Sequence, residues 1–184
     1  MTKTKWIILG VVVLAALYVF SVYNGLITKN ELVDNQWAQV EAQYQRRFDL
    51  IPNLVESVKG IFKQEQTIFT ALAEARTRYS GAKSVDEKAA AATQVESALG
   101  RLLVVVENYP TLKSSDDVQL FMVQLEGTEN RISVERLRFN DAVRNLNLIV
   151  KRFPSNLIAG MFGFSERPYF ESVEGAEVAP KVGF

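Results

Sequence analysis

The chain has 184 residues, no cysteine and no histidine, and its 21 basic and 21 acidic side chains cancel. The missing histidine removes the commonest general base, and without cysteine as well the usual ligands of zinc, copper and haem are absent. Because charges of both signs are spread along the chain, no basic face predicts a nucleic-acid partner. The composition therefore favours functions that need little chemistry of the chain's own.

The N-terminal stretch from Trp6 to Thr28 carries no charged side chain, and its first part, to Val22, is almost wholly apolar. Crossing the hydrocarbon core of a bilayer takes about 20 apolar residues in helical form. A cleaved signal peptide is the competing interpretation, but its apolar region would be about 7–15 residues long and would end in small side chains. This run ends in Tyr18-Val19-Phe20-Ser21-Val22-Tyr23, with bulky side chains where a signal peptidase needs small ones, so the sequence predicts an uncleaved anchor that contacts the lipid bilayer from Trp6 to Thr28.

The orientation of this anchor is predicted from the charges on its two sides. Lys3 and Lys5 precede it, whereas Lys29, Arg46 and Arg47 follow it among acidic residues. A long domain crosses the membrane largely regardless of its charge, so the short basic N-terminus should decide the orientation and remain in the cytoplasm. The rest of the chain is then extracytoplasmic, and the opposite orientation stays open.

After the anchor, the chain has the apolar spacing of long helices. Large side chains recur by threes and fours from Val33 to Tyr79, which indicates one helical face from about Lys29 to Tyr79, bending from the anchor at Asn24-Gly25. Pro52 interrupts the pattern, but the spacing continues in phase on both sides. A kinked helix is therefore predicted, with a new helix capped by Asp49 as the alternative.

Two further helices follow. Ser84 and Glu87 have the spacing of a capping box that opens the second helix, which runs to about Glu107 and stops at Asn108-Tyr109-Pro110. The third helix begins near Ser114 and ends at Pro154. Its buried seam is predicted to contain Val118, Phe121, Leu125, Thr128, Ile132, Glu135, Phe139, Ala142, Leu146, Ile149 and Phe153.

These elements predict an all-α protein, in which an N-terminal transmembrane helix precedes an up-and-down antiparallel bundle of three long helices, or four if Pro52 splits the first. The expected divisions are an anchor over residues 1–28, a bundle over 29–164 and an irregular C-terminal tail over 165–184. About 155 residues after the anchor are enough for one domain with its own core.

Charged clusters in the bundle are predicted to be structural. Without histidine, the glutamate–histidine signature of two-metal bundles cannot be met. A carboxylate-only calcium or magnesium site from Glu56, Glu107, Glu129 and Glu135 is disfavoured, because solvated helix faces rich in glutamate are common. Glu135 falls in the seam, so it should have a cationic partner or a raised pKa, and a structural ion pair is favoured over a catalytic acid. Without hydrolase or phosphate-binding motifs, the sequence predicts no enzyme, no cofactor and no metal.

Two further features each have two interpretations. The polar residues near Asn140, Asp141 and Arg144 form either a hydrated helix face or a register contact with the first helix, through Arg46, Arg47, Asp49 and Asn53. The aromatic segment Met161-Phe162-Gly163-Phe164 either plugs one end of the bundle or, if exposed, forms a docking or self-assembly surface.

Several long strings resemble the LemA family of bacterial membrane proteins: YNGLITKNELVDNQWAQVEAQYQRRFDLIPNLVESVKG, ENYPTLK, TENRISVERLRFNDAV and FPSNLIAGMFGF. The resemblance covers nearly the whole chain after the anchor, with small departures such as Ile27-Thr28-Lys29. It implies a helical bundle in the bacterial inner membrane, a link to a membrane zinc metalloprotease of the heat-shock type, and a relative that helps to form magnetosome membranes. Descriptions of the family often place the N-terminus outside the cell, opposite to the prediction from Lys3 and Lys5.

The resulting hypothesis is a single-pass, membrane-anchored scaffold or adaptor that forms homo-oligomers and engages other membrane proteins. The alternative is an extracytoplasmic sensor domain that binds a small ligand between its helices and signals through a separate partner. The candidate structural or interaction residues are Arg46, Arg47, Asp49, Pro52, Asn53, Tyr109, Pro110, Glu129, Asn130, Arg131, Glu135, Asn140, Asp141, Phe162 and Phe164.

Overall fold

A computed structural model of the protein describes residues 3–58, 66–110 and 114–170, apart from the side chain of Asp86. Five helices account for most of these residues: α1 (Lys3–Ser57), α2 (Gln66–Gly81), α3 (Val85–Asn108), α4 (Asp116–Lys151) and α5 (Ser155–Met161). No strand occurs in these three ranges. The prediction of an all-α helical bundle with a long apolar N-terminal helix is confirmed.

The chain forms two compact units. Unit 1 contains Met1–Ala38 and Leu137–Tyr169, and unit 2 contains Gln39–Arg136 and Phe170–Phe184. Helices α1 and α4 each contribute one part to each unit, and α5 belongs to unit 1.

Helix α1 is continuous from the apolar N-terminus, through Asn24-Gly25, into the folded part of unit 1. Every side chain from Trp6 to Tyr18 is exposed, whereas Leu26 and Val33 are fully buried. Its N-terminal part is long and apolar enough to cross a membrane, and none of that window is buried. Helix α3 passes the same length and composition test, but it carries core residues of unit 2 such as Val95, Leu99 and Leu102.

In unit 1, α4 runs antiparallel to α1. The rings of Trp37 in α1 and Phe139 in α4 meet edge to face, with centroids 5.5 Å apart. Tyr23 lies fourteen residues earlier in α1, and its ring meets that of Phe162, beyond the end of α4, at 4.6 Å. At 1.5 Å rise per residue, the two contacts lie about 21 Å apart along α1. Buried residues of α4 at this end of the helix include Val143 and Leu146.

Unit 2 has an apolar core with an aromatic cluster at its centre. Tyr44, Phe48 and Tyr79 lie with ring centroids 4.5–5.9 Å apart and are nearly inaccessible to solvent. Burying each such side chain stabilises the fold by roughly 1.5–3 kcal/mol. Other fully buried side chains in this unit are Leu54, Leu72, Leu99, Leu102 and Ile132.

The helix boundaries agree with most of the sequence prediction, with two corrections. Pro52 lies inside α1 and does not split it. However, α1 ends at Ser57 and α2 begins at Gln66, so the single helical face predicted from Lys29 to Tyr79 is divided between two helices. Helix α4 ends at Lys151 before Pro154, which leaves Phe153 outside the seam and 75% exposed. The remaining seam residues of α4 are buried or half-buried.

Candidate functional site

A network of charged side chains in unit 2 joins three helices. Arg47 of α1 pairs with Glu129 of α4 and lies 3.8 Å from Glu96 of α3. Arg136 of α4 pairs with Glu96, and its Nε donates a hydrogen bond of 3.0 Å to the Tyr44 hydroxyl. The two arginines and two glutamates balance in charge, so the network has no net charge to attract a ligand.

The four charged side chains of this network differ in how much they are exposed to solvent. The side chain of Arg47 is 8% exposed and those of Glu96 and Arg136 are 16% and 18% exposed, whereas Glu129 is 46% exposed. Burial raises the pKa of Glu96, although the positive charge of Arg136 opposes this. Burial also raises the pKa of the Tyr44 hydroxyl, which donates a hydrogen bond of 3.2 Å to Glu96. The guanidinium of Arg136 lies 5.5 Å from the Tyr44 ring centroid and 4.4 Å from that of Phe170.

The chemistry available to this network is limited. Each arginine faces a carboxylate, and the hydroxyl of Tyr44 is engaged by both Glu96 and Arg136. Within the described ranges, no three acidic side chains meet in a way that could hold a metal ion. The arrangement joins α1, α3 and α4 in unit 2.

At the other end of the described chain, α5 turns back onto α1 within unit 1. The N–H of Phe164 donates to the carbonyl of Ala159 at 2.9 Å and that of Gly163 to Gly160 at 3.4 Å, the pattern of a Schellman motif. Gly163 has φ of +76°, a conformation that glycine adopts without strain. This turn places Phe162 and Phe164 with ring centroids 4.6 Å and 6.3 Å from that of Tyr23.

Hydrogen bonds of Asn147 and Arg167, which we call the polar strap, hold the chain after α5. The side-chain amide of Asn147 donates to the carbonyl of Arg167 at 2.8 Å and accepts from its N–H at 2.9 Å. The guanidinium of Arg167 then reaches α1, 2.7 Å from Asp34 and 3.3 Å from Asn30. Because Asn147 is buried, its two bonds to Arg167 are partly shielded from water, whereas the bond from Arg167 to Asp34 is exposed. Together they link Arg167 to α4 and α1.

The sequence also matches a known protein family. The sequence profile of the LemA family matches residues 36–184, which is most of the chain. This chain belongs to the LemA family. The prediction made from its sequence strings is therefore confirmed.

Curated relatives of this LemA-family chain are magnetosome proteins. Magnetosome protein MamQ 2 and magnetosome protein MamQ 1 of Paramagnetospirillum magneticum (strain AMB-1) are each 28% identical to it over 175 residues. Magnetosome protein MamQ of Magnetospirillum gryphiswaldense (strain MSR-1) is 26% identical over 174 residues. These alignments cover 80–81% of this chain, and the chain spans 64% of the length of the relatives it matches.

The predicted interaction residues of this LemA-family member have different surroundings in the structure. Arg47 and Glu129 join the charged network, and Phe162 and Phe164 meet Tyr23. Asp49 accepts a hydrogen bond from Gln45 of its own helix, and Asp141 pairs with Arg144 one turn on, as in the hydrated-face interpretation. Tyr109 caps the end of α3 and the carbonyl of Pro110 accepts from the N–H of Ser114. The remaining residues of the predicted set are Arg46, Pro52, Asn53, Asn130 and Arg131, which are exposed, and Glu135 and Asn140, which are half-buried.

Sequence analysis of this LemA-family member missed Glu96, Arg136 and Asn147. Glu96 follows Val95 of the α3 core face, and Arg136 follows Glu135 of the α4 seam. From the sequence alone, a charged residue next to a core position is expected to be exposed to solvent, because the position of the neighbouring helix is unknown. Asn147 lies between the seam positions Leu146 and Ile149 of α4, so the spacing gave no indication that it is 3% exposed and bonded to Arg167.

Unit 2 of the LemA-family chain also has an open groove of about 1160 Å³ between the end of α1 and α2. Apolar side chains including Ile51, Val55, Phe69 and Leu72 form most of its walls, with Arg76 and Glu74 among its polar groups. Pro52 lines it as well, which gives this exposed proline a position at a concave surface.

Proposed function

We propose that this protein is a membrane-anchored helical scaffold or adaptor of the bacterial cell membrane, which acts by binding other proteins. The observation that carries the proposal is the continuity of α1, whose exposed apolar part passes without interruption into the buried core of unit 1. A helix with this distribution is stable only if its apolar part lies in lipid or against another protein.

The nature of the polar residues supports binding over catalysis. The buried arginines, carboxylates and tyrosine of unit 2 are engaged with one another, and the chain lacks both histidine and cysteine. A catalytic acid, base or nucleophile needs free access to a substrate, which side chains paired in this way do not have.

The partners are proposed by similarity. Relatives are named magnetosome proteins. The resemblance of the sequence strings to the LemA family implies, in addition, a membrane zinc metalloprotease as a partner. Self-association and binding of such a membrane protein are the two interactions that we propose for this chain.

Cross-linking in native membranes tests both. Bacteria that express the full chain are treated with a membrane-permeant cross-linker, and linked peptides are identified by mass spectrometry. We expect homotypic links together with links to one or a few other membrane proteins. Links confined to single copies, with no reproducible neighbour, would refute the proposal.

The groove between α1 and α2 supports a second candidate function, binding of a small ligand. Its volume exceeds the range of about 300–1,000 Å³ that is usual for ligand pockets, and its walls are mostly apolar. A thermal-shift screen of the detergent-solubilised protein against apolar metabolites tests this function. Ala73→Trp, which fills the groove from an exposed position of its wall, should abolish any ligand-induced rise in melting temperature, whereas Ala42→Trp, at an exposed position of α1, should leave it unchanged.

A further inference from the structure

An uncharged, largely apolar surface surrounds α5. The chain carries no charge from Phe153 to Phe164, and four large apolar side chains there remain exposed: Phe153 (75%), Leu157 (63%), Met161 (72%) and Phe162 (48%). We call these four residues the α5 face. The opposite side of α5 is buried through Ser155, Ile158 and Ala159, so both sides of this short helix are largely apolar. A helix packed on a soluble domain normally presents polar side chains outward, and a cluster of this kind marks a contact site.

The position of the α5 face is fixed by its contact with α1. Tyr23, whose ring meets those of Phe162 and Phe164, directly follows the apolar stretch Trp6–Val22. Exposure along that stretch changes first at Val19 and Val22, which are half-buried, whereas all residues from Trp6 to Tyr18 are exposed. Other parts of unit 1 therefore begin to cover α1 one turn before the apolar stretch ends.

We propose that the α5 face inserts into the interface of the same lipid bilayer that α1 crosses, as a second membrane contact. The inference rests on the proposed anchor. Phe162, a member of the α5 face, lies at the end of that anchor, because its ring centroid is 4.6 Å from that of Tyr23.

The chemistry of the flanking residues fits this location. Tyrosine, such as Tyr23, is enriched at the boundary between acyl chains and headgroups. Phe153 and Phe162 are of the type that interfacial helices bury on their apolar side. Arg152, exposed immediately before the α5 face, can reach lipid phosphates while the apolar residues remain buried. The strap through Asn147 and Arg167 holds the following segment to α1 and α4, so α5 is presented to the bilayer in a fixed position.

Depth measurements in vesicles test the proposal on the full chain. Because the protein has no cysteine, single cysteines can be introduced by Leu157→Cys and Met161→Cys and labelled with an environment-sensitive fluorophore. Leu137→Cys is the matched control, since Leu137 is also an exposed leucine of unit 1 (65%) but lies at the Trp37–Phe139 end of α4. Leu14→Cys, in the apolar part of α1, reports on the anchor itself. Each labelled protein is reconstituted into phosphatidylcholine vesicles with spin-labelled acyl chains.

We expect quenching by shallow spin labels to be at least about twofold stronger at positions 157 and 161 than at position 137, as insertion to the acyl boundary requires. Equal quenching at 137 and 157, with position 14 strongly quenched by deep labels, would overturn the α5 inference and leave the anchor intact. Absence of quenching at position 14 would overturn both. Blue-shifted emission at 157 without quenching by lipid would overturn the inference in favour of a second copy or another protein on the α5 face.

Discussion

At the scale of single residues, two adjacent arginines of α1 have different surroundings. Arg47 is buried between Glu96 and Glu129, whereas its neighbour Arg46 is exposed. Removing one partner of a buried ion pair leaves an uncompensated charge in a poorly solvated place. Sequence alone offers no means to distinguish the two, because the difference depends on which way the helix faces its neighbours.

Arg47→Met should therefore lower the free energy of unfolding by about 3 kcal/mol, the low end of the cost of breaking a buried ion pair. The cost is at this end because Glu96 is still paired with Arg136 and Glu129 is partly exposed. Arg46→Met should change it by less than about 0.5 kcal/mol, as is usual for exposed positions. Urea denaturation of the detergent-solubilised protein, followed by circular dichroism, measures both. Equal midpoints for the two variants would show that the network contributes little.

Glu96 links the same network to pH. Burial raises its pKa in the folded protein above the ordinary value of 4.5. A carboxyl group of this kind stabilises the fold fully below that ordinary value, and the stabilisation is lost as pH rises through the folded-state pKa. Glu96→Gln lacks this loss, so the free energy of unfolding of the variant should rise relative to that of the wild type as the pH increases above 4.5.

Denaturation curves at several pH values measure this difference. Glu107→Gln, at an exposed position of the same helix, is the control. A constant difference between wild type and Glu96→Gln across the range would contradict the assignment of a raised pKa to Glu96.

At the scale of elements, the ends of helices could be predicted where the sequence contains local stop or start signals. Ser84 is the N-cap of α3, with Glu87 completing the capping box, and α4 ends just before Pro154. The division between α1 and α2 was missed because the apolar spacing stays in phase from Val33 to Tyr79. Partners across helices, such as Glu96 with Arg136, were missed because helical periodicity specifies a face and leaves the opposing residue undetermined.

The capping box of α3 provides a prediction at this scale. The N–H of Glu87 donates to Ser84 Oγ at 3.1 Å, and the Glu87 carboxylate accepts from the N–H groups of Lys83 and Ser84. Ser84→Ala should lower the free energy of unfolding by about 1 kcal/mol, because one N–H at the start of the helix loses its acceptor. Ser80→Ala is the control: the hydroxyl of Ser80 bonds only the carbonyl of Arg76 in its own helix, so its loss should matter by less than about 0.5 kcal/mol. Thermal and urea unfolding should place Ser84→Ala below both wild type and Ser80→Ala, and coincident curves would contradict it.

At the scale of the whole molecule, the sequence predicted the helical class, the family and the apolar N-terminal helix. These features depend on composition and on long periodic patterns, which can be recognised in the sequence alone. Sidedness in the membrane is different, because Lys3 and Lys5 nearly balance the charges after the span, and the family resemblance implies the opposite orientation.

We expect the N-terminus to lie in the cytoplasm and the rest of the chain outside it, because a short basic N-terminus is retained on the cytoplasmic side. Thr4→Cys and Ala42→Cys place single thiols at exposed positions before and after the apolar stretch, in a chain that otherwise has none. A membrane-impermeant maleimide added to intact spheroplasts should label Ala42→Cys and should label Thr4→Cys only after lysis. The reverse pattern would establish the inverted orientation. Labelling of both variants before lysis would show that the chain does not span the membrane, since a spanning helix separates its two ends by the hydrocarbon core.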